Sequence, residues 1–174
     1  MAKKVFITGG AGFIGSCLAK SLLDKGFEVI SFDNFNDFYE PELKRKNILR
    51  LKDYETFTSV EGDIRNTNQI ESVLNDSIDV VVHLAAMAGV RPSIEDPRLY
   101  YDVNINGTYN ILELCSKIKP EKVIIASSSS VYGNNEKVPF SETDNVDFPI
   151  SPYAATKKMN EIMAYNFYHL HKIP

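Results

Sequence analysis

Only two cysteines occur in the 174 residues, Cys17 and Cys115. Both fall in stretches that read as helices, and neither has neighbours at metal-ligand spacing. They read as packed free thiols, with no disulfide framework and no metal site expected. An excess of positive charge is also missing: the net charge is -4, so nothing favours nucleic acid as a partner. Long apolar runs are absent too. The most apolar stretch, Val80 to Val90, carries His83 and is too short to span a bilayer. The N-terminus reaches Thr8 after a brief apolar run, too short for a secretion signal. A soluble, cytoplasmic protein is expected. No repeat, low-complexity segment or linker divides the chain, and its length suits one domain, 1–174.

What is present begins at Val5 to Thr8, a short β-branched and aromatic run that reads as a buried strand. Gly9, Gly10, Gly12 and Gly15 follow at once, and then the amphipathic run Cys17 to Leu23. Gly10, Gly12 and Gly15 fit G-x-G-x-x-G. Such spacing makes a tight turn, lets backbone approach a pyrophosphate, and lets a helix sit close to its strand. The first helical turn at Phe13 and Ile14 offers free N–H groups and the positive end of its dipole. Asp33 closes the next apolar run, about 20 residues on, where a carboxylate accepts the ribose hydroxyls of NAD.

Glu42 to Lys52 reads as a helix whose basic residues, Lys44, Arg45, Lys46, Arg50 and Lys52, form a solvated face. Tyr54 to Val60 reads as a third strand ending near Asp63, which either holds an adenine amino group or forms a turn. Asn66 or Thr67 caps a helix running to Asn75. Ile78 to Leu84 reads as a central parallel strand covered on both faces, with His83 a satisfied core histidine. Small residues after it allow a flat cofactor to lie against the backbone. Arg91 to Pro97 reads as a loop. A long helix over Pro97 to Lys117 is interrupted by Asn104 and Gly107, which points to close packing or ligand approach. Lys122 to Ala126 is the fifth strand, followed by Ser127 to Ser130. After a polar connection, Ser151 and Pro152 start a last helix through Leu170. Alternating strands and helices predict an α/β doubly wound parallel sheet, a Rossmann fold in three αβα layers.

Tyr153 and Lys157 share a face of that last helix. Tyrosine is a poor base at its ordinary pKa of about 10, and a neighbouring ammonium favours the phenolate. With a serine hydroxyl they make a proton relay beside a hydride acceptor.

These residues carry a resemblance to a known family. Thr8 to Gly15, His83-Leu84-Ala85-Ala86, Asn104 to Thr108, the serine run with Val131-Tyr132-Gly133, and Tyr153 to Lys157 resemble the extended short-chain dehydrogenase/reductases. Asp33 to Tyr39 and Ala88 to Ile94 look most like its UDP-glucuronate 4-epimerases. The resemblance implies NAD as cofactor. Gly9, Gly12 and Gly15 cradle its pyrophosphate, Asp33 and Asn34 the adenosine ribose, and Asp63 and Ile64 the adenine. Leu84, Ala85, Ala86 and Asn104 line it. It also implies Tyr153 as base, Lys157 on the nicotinamide ribose, and Ser128 as the catalytic hydroxyl, with Ser129 and Ser130 near a UDP-sugar substrate. Hydride passes from C4 of the sugar to NAD⁺, the 4-keto sugar turns over, and hydride returns to its other face. Related dehydratases carry an Asp-Glu pair, and decarboxylases a Glu, where Ser129-Ser130 stand here, which argues against both chemistries. Arg91 either pairs with the sugar carboxylate or with Glu95 or Asp96. The family continues into a smaller substrate region that this chain does not include, and its members often pair as homodimers through the two long helices. Without that region the fifth strand is expected to have a free edge.

Overall fold

A computed structural model of the chain describes residues 2–174. Strands β1 (Lys4–Thr8), β2 (Glu28–Asp33), β3 (Phe57–Glu61), β4 (Val80–His83) and β5 (Lys122–Ile125) form one sheet. All pairings are parallel, in the order β3-β2-β1-β4-β5. Successive strands move outward from β1 in one direction and then restart on its other side at β4. That reversal opens a crevice at the carboxyl ends of β1 and β4, where ligands bind in such sheets.

Side-chain alternation explains why both faces are covered. Phe6, Phe32 and Val81 point to one face, where they pack with Ile70, Tyr100 and Ile111. Val5, Ile7, Val29 and Val82 point to the other, against Ala19, Leu23 and Leu51. Helices α1 (Phe13–Leu23), α2 (Pro41–Leu49), α3 (Thr67–Glu71), α4 (Val90–Glu95), α5 (Pro97–Tyr101), α6 (Gly107–Ile118) and α7 (Pro152–His171) supply those layers.

Several elements differ from the sequence expectation. The helix after Asn66 stops at Glu71. Arg91 to Pro97 is mostly helix α4, and the Asp96 side chain caps α5 by accepting from Leu99 N at 3.2 Å. The long helix is broken by one π-type turn, Asp102–Asn106. Asn104 and Gly107 explain that break. Asn104 Nδ2 donates to Met87 O and Thr156 Oγ1, both at 3.0 Å, and its Oδ1 accepts from Met87 N at 2.8 Å. A Cβ on Gly107 would lie 2.5 Å from Ile64 Cδ1. Close packing is therefore the reason for both residues.

The edge of β5 is not wholly free. Val123 N donates to Pro174 O at 2.8 Å, and Ile173 is buried in the core. Beyond that contact an apolar cleft runs between β5 and α7, lined by Val123, Ile125, Tyr168 and Ile173.

Candidate functional site

The turn after β1 is shaped by what surrounds it. Gly9 has φ +67, and a Cβ there would lie 2.8 Å from Ala85 N. A Cβ on Gly15 would strike the carbonyl of Gly9, so that glycine brings α1 close under the turn. Gly12 differs: its nearest neighbours would be Gly9 O at 3.2 Å and the Tyr39 hydroxyl at 3.7 Å. It faces a groove. Gly12 is also the N-cap of α1, with no side-chain cap and no acidic residue in the first turn. The Phe13 and Ile14 side chains are 78% and 67% exposed, so what the first turn offers a ligand is backbone N–H and dipole.

That groove is lined by Gly9, Gly12, Asp33, Asn34, Tyr39, Lys44, Ile64 and Leu84 to Ala86, among others. Asp33 is buried and holds the site together. Its carboxylate accepts from Ala11 N at 3.1 Å and Phe35 N at 2.9 Å, which ties the glycine turn to the segment after β2. Lys44 Nζ lies 3.6 Å from the same carboxylate and donates to Asn36 Oδ1 at 2.9 Å. Lys44 thus leaves the solvated face expected of it and lines the groove, while Leu43 is 51% exposed. The inward face of α2 is Lys44 and Ile48, followed by Leu51. Sequence reasoning missed Lys44 and Tyr39 as groove residues. A buried charge next to a buried acid is a tertiary pairing that no local pattern announces.

Asp63 is engaged by its neighbours. Its carboxylate accepts from Arg65 Nη2 at 2.7 Å and Asn34 Nδ2 at 3.1 Å. The Arg65 guanidinium comes first among the causes that lower its pKa to about 2. Ile64, not Asp63, lines the groove. Asn104 is fully buried with its amide engaged by Met87 and Thr156, so it pins the segment after β4 instead of lining the groove.

His83 is the core histidine expected. Its Nδ1 is 2.7 Å from Thr8 Oγ1 and its Nε2 is 2.9 Å from Thr108 Oγ1. Burial, and then the Lys157 charge, lower its pKa to about 3, so it stays neutral.

At the far end of the sheet edge, Ser151 caps α7 by accepting from Ala154 N at 3.1 Å, with Pro152 at the first position. Tyr153 and Lys157 follow one turn apart. Tyr153 meets the buried Tyr100 ring edge-on, with centroids 6.2 Å apart. Tyr100 donates to Ala88 O. Lys157 is buried, donates from Nζ to Ala126 O at 2.9 Å, and has its pKa lowered to about 8 by burial. Ser128 caps the short turn Ser129–Tyr132, its Oγ accepting from Ser130 N at 3.1 Å. Arg91 is exposed on α4 and makes no ion pair with Glu95 or Asp96 among the described residues. No group of three or more His, Cys, Asp or Glu among the described residues could hold a metal ion. No helix among them is long and apolar enough to cross a membrane.

The family model described as GDP-mannose 4,6 dehydratase matches residues 6–174. An uncharacterized protein of Methanocaldococcus jannaschii is 47% identical over 174 residues, covering 98% of this chain and 53% of that one. A probable UDP-glucuronate 4-epimerase of Rhizobium meliloti is 42% identical over 172 residues, covering 98% and 50%. A solved structure of a Tyr-to-Phe variant of Bacillus cereus UDP-glucuronic acid 4-epimerase, in complex with UDP-4-deoxy-4-fluoro-glucuronic acid and NAD, superposes with a TM-score of 0.91. It is 39% identical, with 98% of this chain and 54% of that one covered. This chain spans about half the length of the curated relatives it matches. From residue 6 to its last residue, the chain belongs to the GDP-mannose 4,6 dehydratase family.

Proposed function

We propose that the chain is the NAD-binding part of a nucleotide-sugar 4-epimerase, with UDP-glucuronate and UDP-galacturonate as the interconverted pair. One observation carries the reading. Lys157 is tied to Ala126 at the end of β5, with Tyr153 one turn earlier, on the same sheet edge as the glycine turn. A dinucleotide laid from that turn along the carboxyl ends of the strands would bring its reactive end to this pair.

The residues fit NAD. Gly12 lines the groove at an uncapped helix N-terminus, and Asp33 is a buried acid in the same groove. Its carboxylate repels a 2′-phosphate, which favours NAD over NADP. When bound, NAD⁺ supplies a hydride acceptor. Gly9, Gly12, Gly15 and the first turn at Phe13 and Ile14 hold the pyrophosphate, Asp33 and Asn34 the adenosine end, and Leu84, Ala85 and Ala86 pack on the cofactor's flat face.

The chain's own groups do the proton work. Tyr153 takes the proton of the sugar 4-hydroxyl as C4 gives up its hydride, and returns that proton to the C4 oxygen when hydride comes back to the other face of the turned 4-keto sugar. Lys157, one turn further along α7, holds the nicotinamide ribose. Ser128 hydrogen-bonds the reacting oxygen, and Ser129 and Ser130 border the sugar. An acid–base pair for eliminating water is absent there, although the family model is described as a dehydratase, and this supports epimerisation. Arg91 pairs with the sugar carboxylate, its guanidinium having no ion-pair partner among the described residues. The relatives' names support the UDP-uronate assignment. The same reading makes the protein cytoplasmic and homodimeric; a monomeric sedimentation profile would count against the dimer.

The test is turnover of UDP-glucuronate by a polypeptide carrying this sequence at its relatives' length, beside Tyr153→Phe, followed by NMR of the sugar. The parent should interconvert the two uronates without accumulating NADH, and the variant should lose at least a hundredfold in kcat. Equal turnover by both removes Tyr153 as the base. Net NADH formation indicates a dehydrogenase, and binding without turnover indicates an NAD-binding module.

A further inference from the structure

The segment between β2 and α2 is pinned back across the groove. Asn36 N donates to Asn34 Oδ1 at 3.1 Å, and Asn36 Nδ2 lies 3.4 Å from Met87 Sδ. Phe38 reaches to within 3.9 Å of where a Cβ on Gly89 would be. These ties cross from the β2 side of the crevice to the β4 side. They leave Tyr39 at the groove's rim, with Lys44 Nζ 5.0 Å from its ring centroid. The Tyr39 hydroxyl is thereby aimed at Gly12, 3.7 Å from where that residue's Cβ would stand.

Gly12 and Tyr39 thus bracket one gap. On one side is a helix N-terminus with no side-chain cap. On the other is a phenol hydroxyl. Burial, and then the Asp33 charge, raise the Tyr39 pKa, so the hydroxyl stays protonated and remains a donor at neutral pH. The basic residue of α1 lies in its last turn, at Lys20, far from this end. A diphosphate seated over the helix N-terminus therefore meets backbone N–H groups from below and a phenol from above.

Resting on the NAD reading given above, we propose that Tyr39 is a binding residue for the dinucleotide's diphosphate. Its hydroxyl donates to a phosphate oxygen held over Gly12. Lys44 supports it by holding the ring in place through the cation–π contact.

Calorimetric titration of the 174-residue protein and its Tyr39→Phe variant with NAD⁺, ADP and adenosine tests this. Losing one hydrogen bond to a charged oxygen should weaken NAD⁺ and ADP about tenfold. Adenosine, which lacks the phosphates, should bind both proteins equally. Unchanged ADP affinity in the variant overturns the proposal. So does an equal loss for adenosine and ADP, because Tyr39 would then act on the nucleoside. A parent that binds ADP and NAD⁺ while the variant does not differ supports the NAD reading and sinks only the role of Tyr39. A parent that binds neither sinks both.

Discussion

Lys157 Nζ donates to the carbonyl of Ala126 at 2.9 Å, which joins the first turns of α7 to the end of β5. This is a buried ammonium with a neutral partner, and burial lowers its pKa from 10.5 to about 8. Between those two values the unfolded chain keeps a proton that the native chain has released. Stability from this group therefore rises as pH climbs from about 8 to 10.5, by on the order of 3 kcal/mol. Urea unfolding at pH 7.5 and pH 10 should show this gain in the parent relative to Lys157→Met. Cys115 opposes it, since burial pushes its thiol up to about 12 and stability is lost above pH 9. Both proteins carry Cys115, so its effect cancels in the comparison.

His83 gives the acid counterpart. Its pKa falls from 6.5 to about 3 in the fold, so the unfolded chain takes up a proton first. Stability should fall as pH drops from 6.5 to 4.5, by on the order of 1–3 kcal/mol. Replacing His83 with Gln should flatten that slope, whatever it does to stability at neutral pH. An unchanged slope in urea midpoints across the window would remove His83 as the sensitive group. Asp63 does not interfere, because its contribution is lost only below about pH 4.

Two glycines of the turn should separate folding from binding. A Cβ on Gly15 strikes the backbone carbonyl of Gly9, which has little room to move. Gly15→Ala should cost about 2–3 kcal/mol of stability. Gly12→Ala meets nothing closer than 3.2 Å and should stay within about 1 kcal/mol of the parent. It should nonetheless weaken NAD⁺ binding, because the added methyl enters the groove. Thermal melts and NAD⁺ titrations of the two variants check this split.

Lys44 and Lys46 should also part company. Lys44 is buried beside Asp33, whereas Lys46 is exposed on the same helix. Lys44→Met leaves the Asp33 carboxylate with its two backbone donors but no countercharge, at a cost of about 2–3 kcal/mol. Lys46→Met should change stability by less than about 0.5 kcal/mol. Equal effects in denaturant titrations would mean that the Lys44–Asp33 contact contributes nothing.

The parts of the molecule legible in the sequence are those set by local rules. Alternation of apolar runs announced the strands, the glycine spacing announced the turn after β1, and Ser151-Pro152 announced the start of α7. Asn104 and Gly107 marked a break in the long helix, yet its form, a π-type turn, follows from contacts with Met87, Thr156 and Ile64. Lys44 was illegible for a like reason. Its partner Asp33 lies on a strand, and Leu43 beside it is the residue a hydropathy pattern would bury. For Asp63 the sequence leaves an adenine contact and a turn both open, because no local pattern announces that Arg65 folds back onto it.

The NAD site proposed in the groove from Gly12 to Asp33 is open to a test of binding alone. Its most direct test is calorimetric titration of the 174-residue protein with NAD⁺ and NADP⁺. One NAD⁺ should bind per chain, with NADP⁺ at least tenfold weaker, because its 2′-phosphate would meet the buried carboxylate of Asp33. No binding of NAD⁺, or tighter binding of NADP⁺, would contradict it.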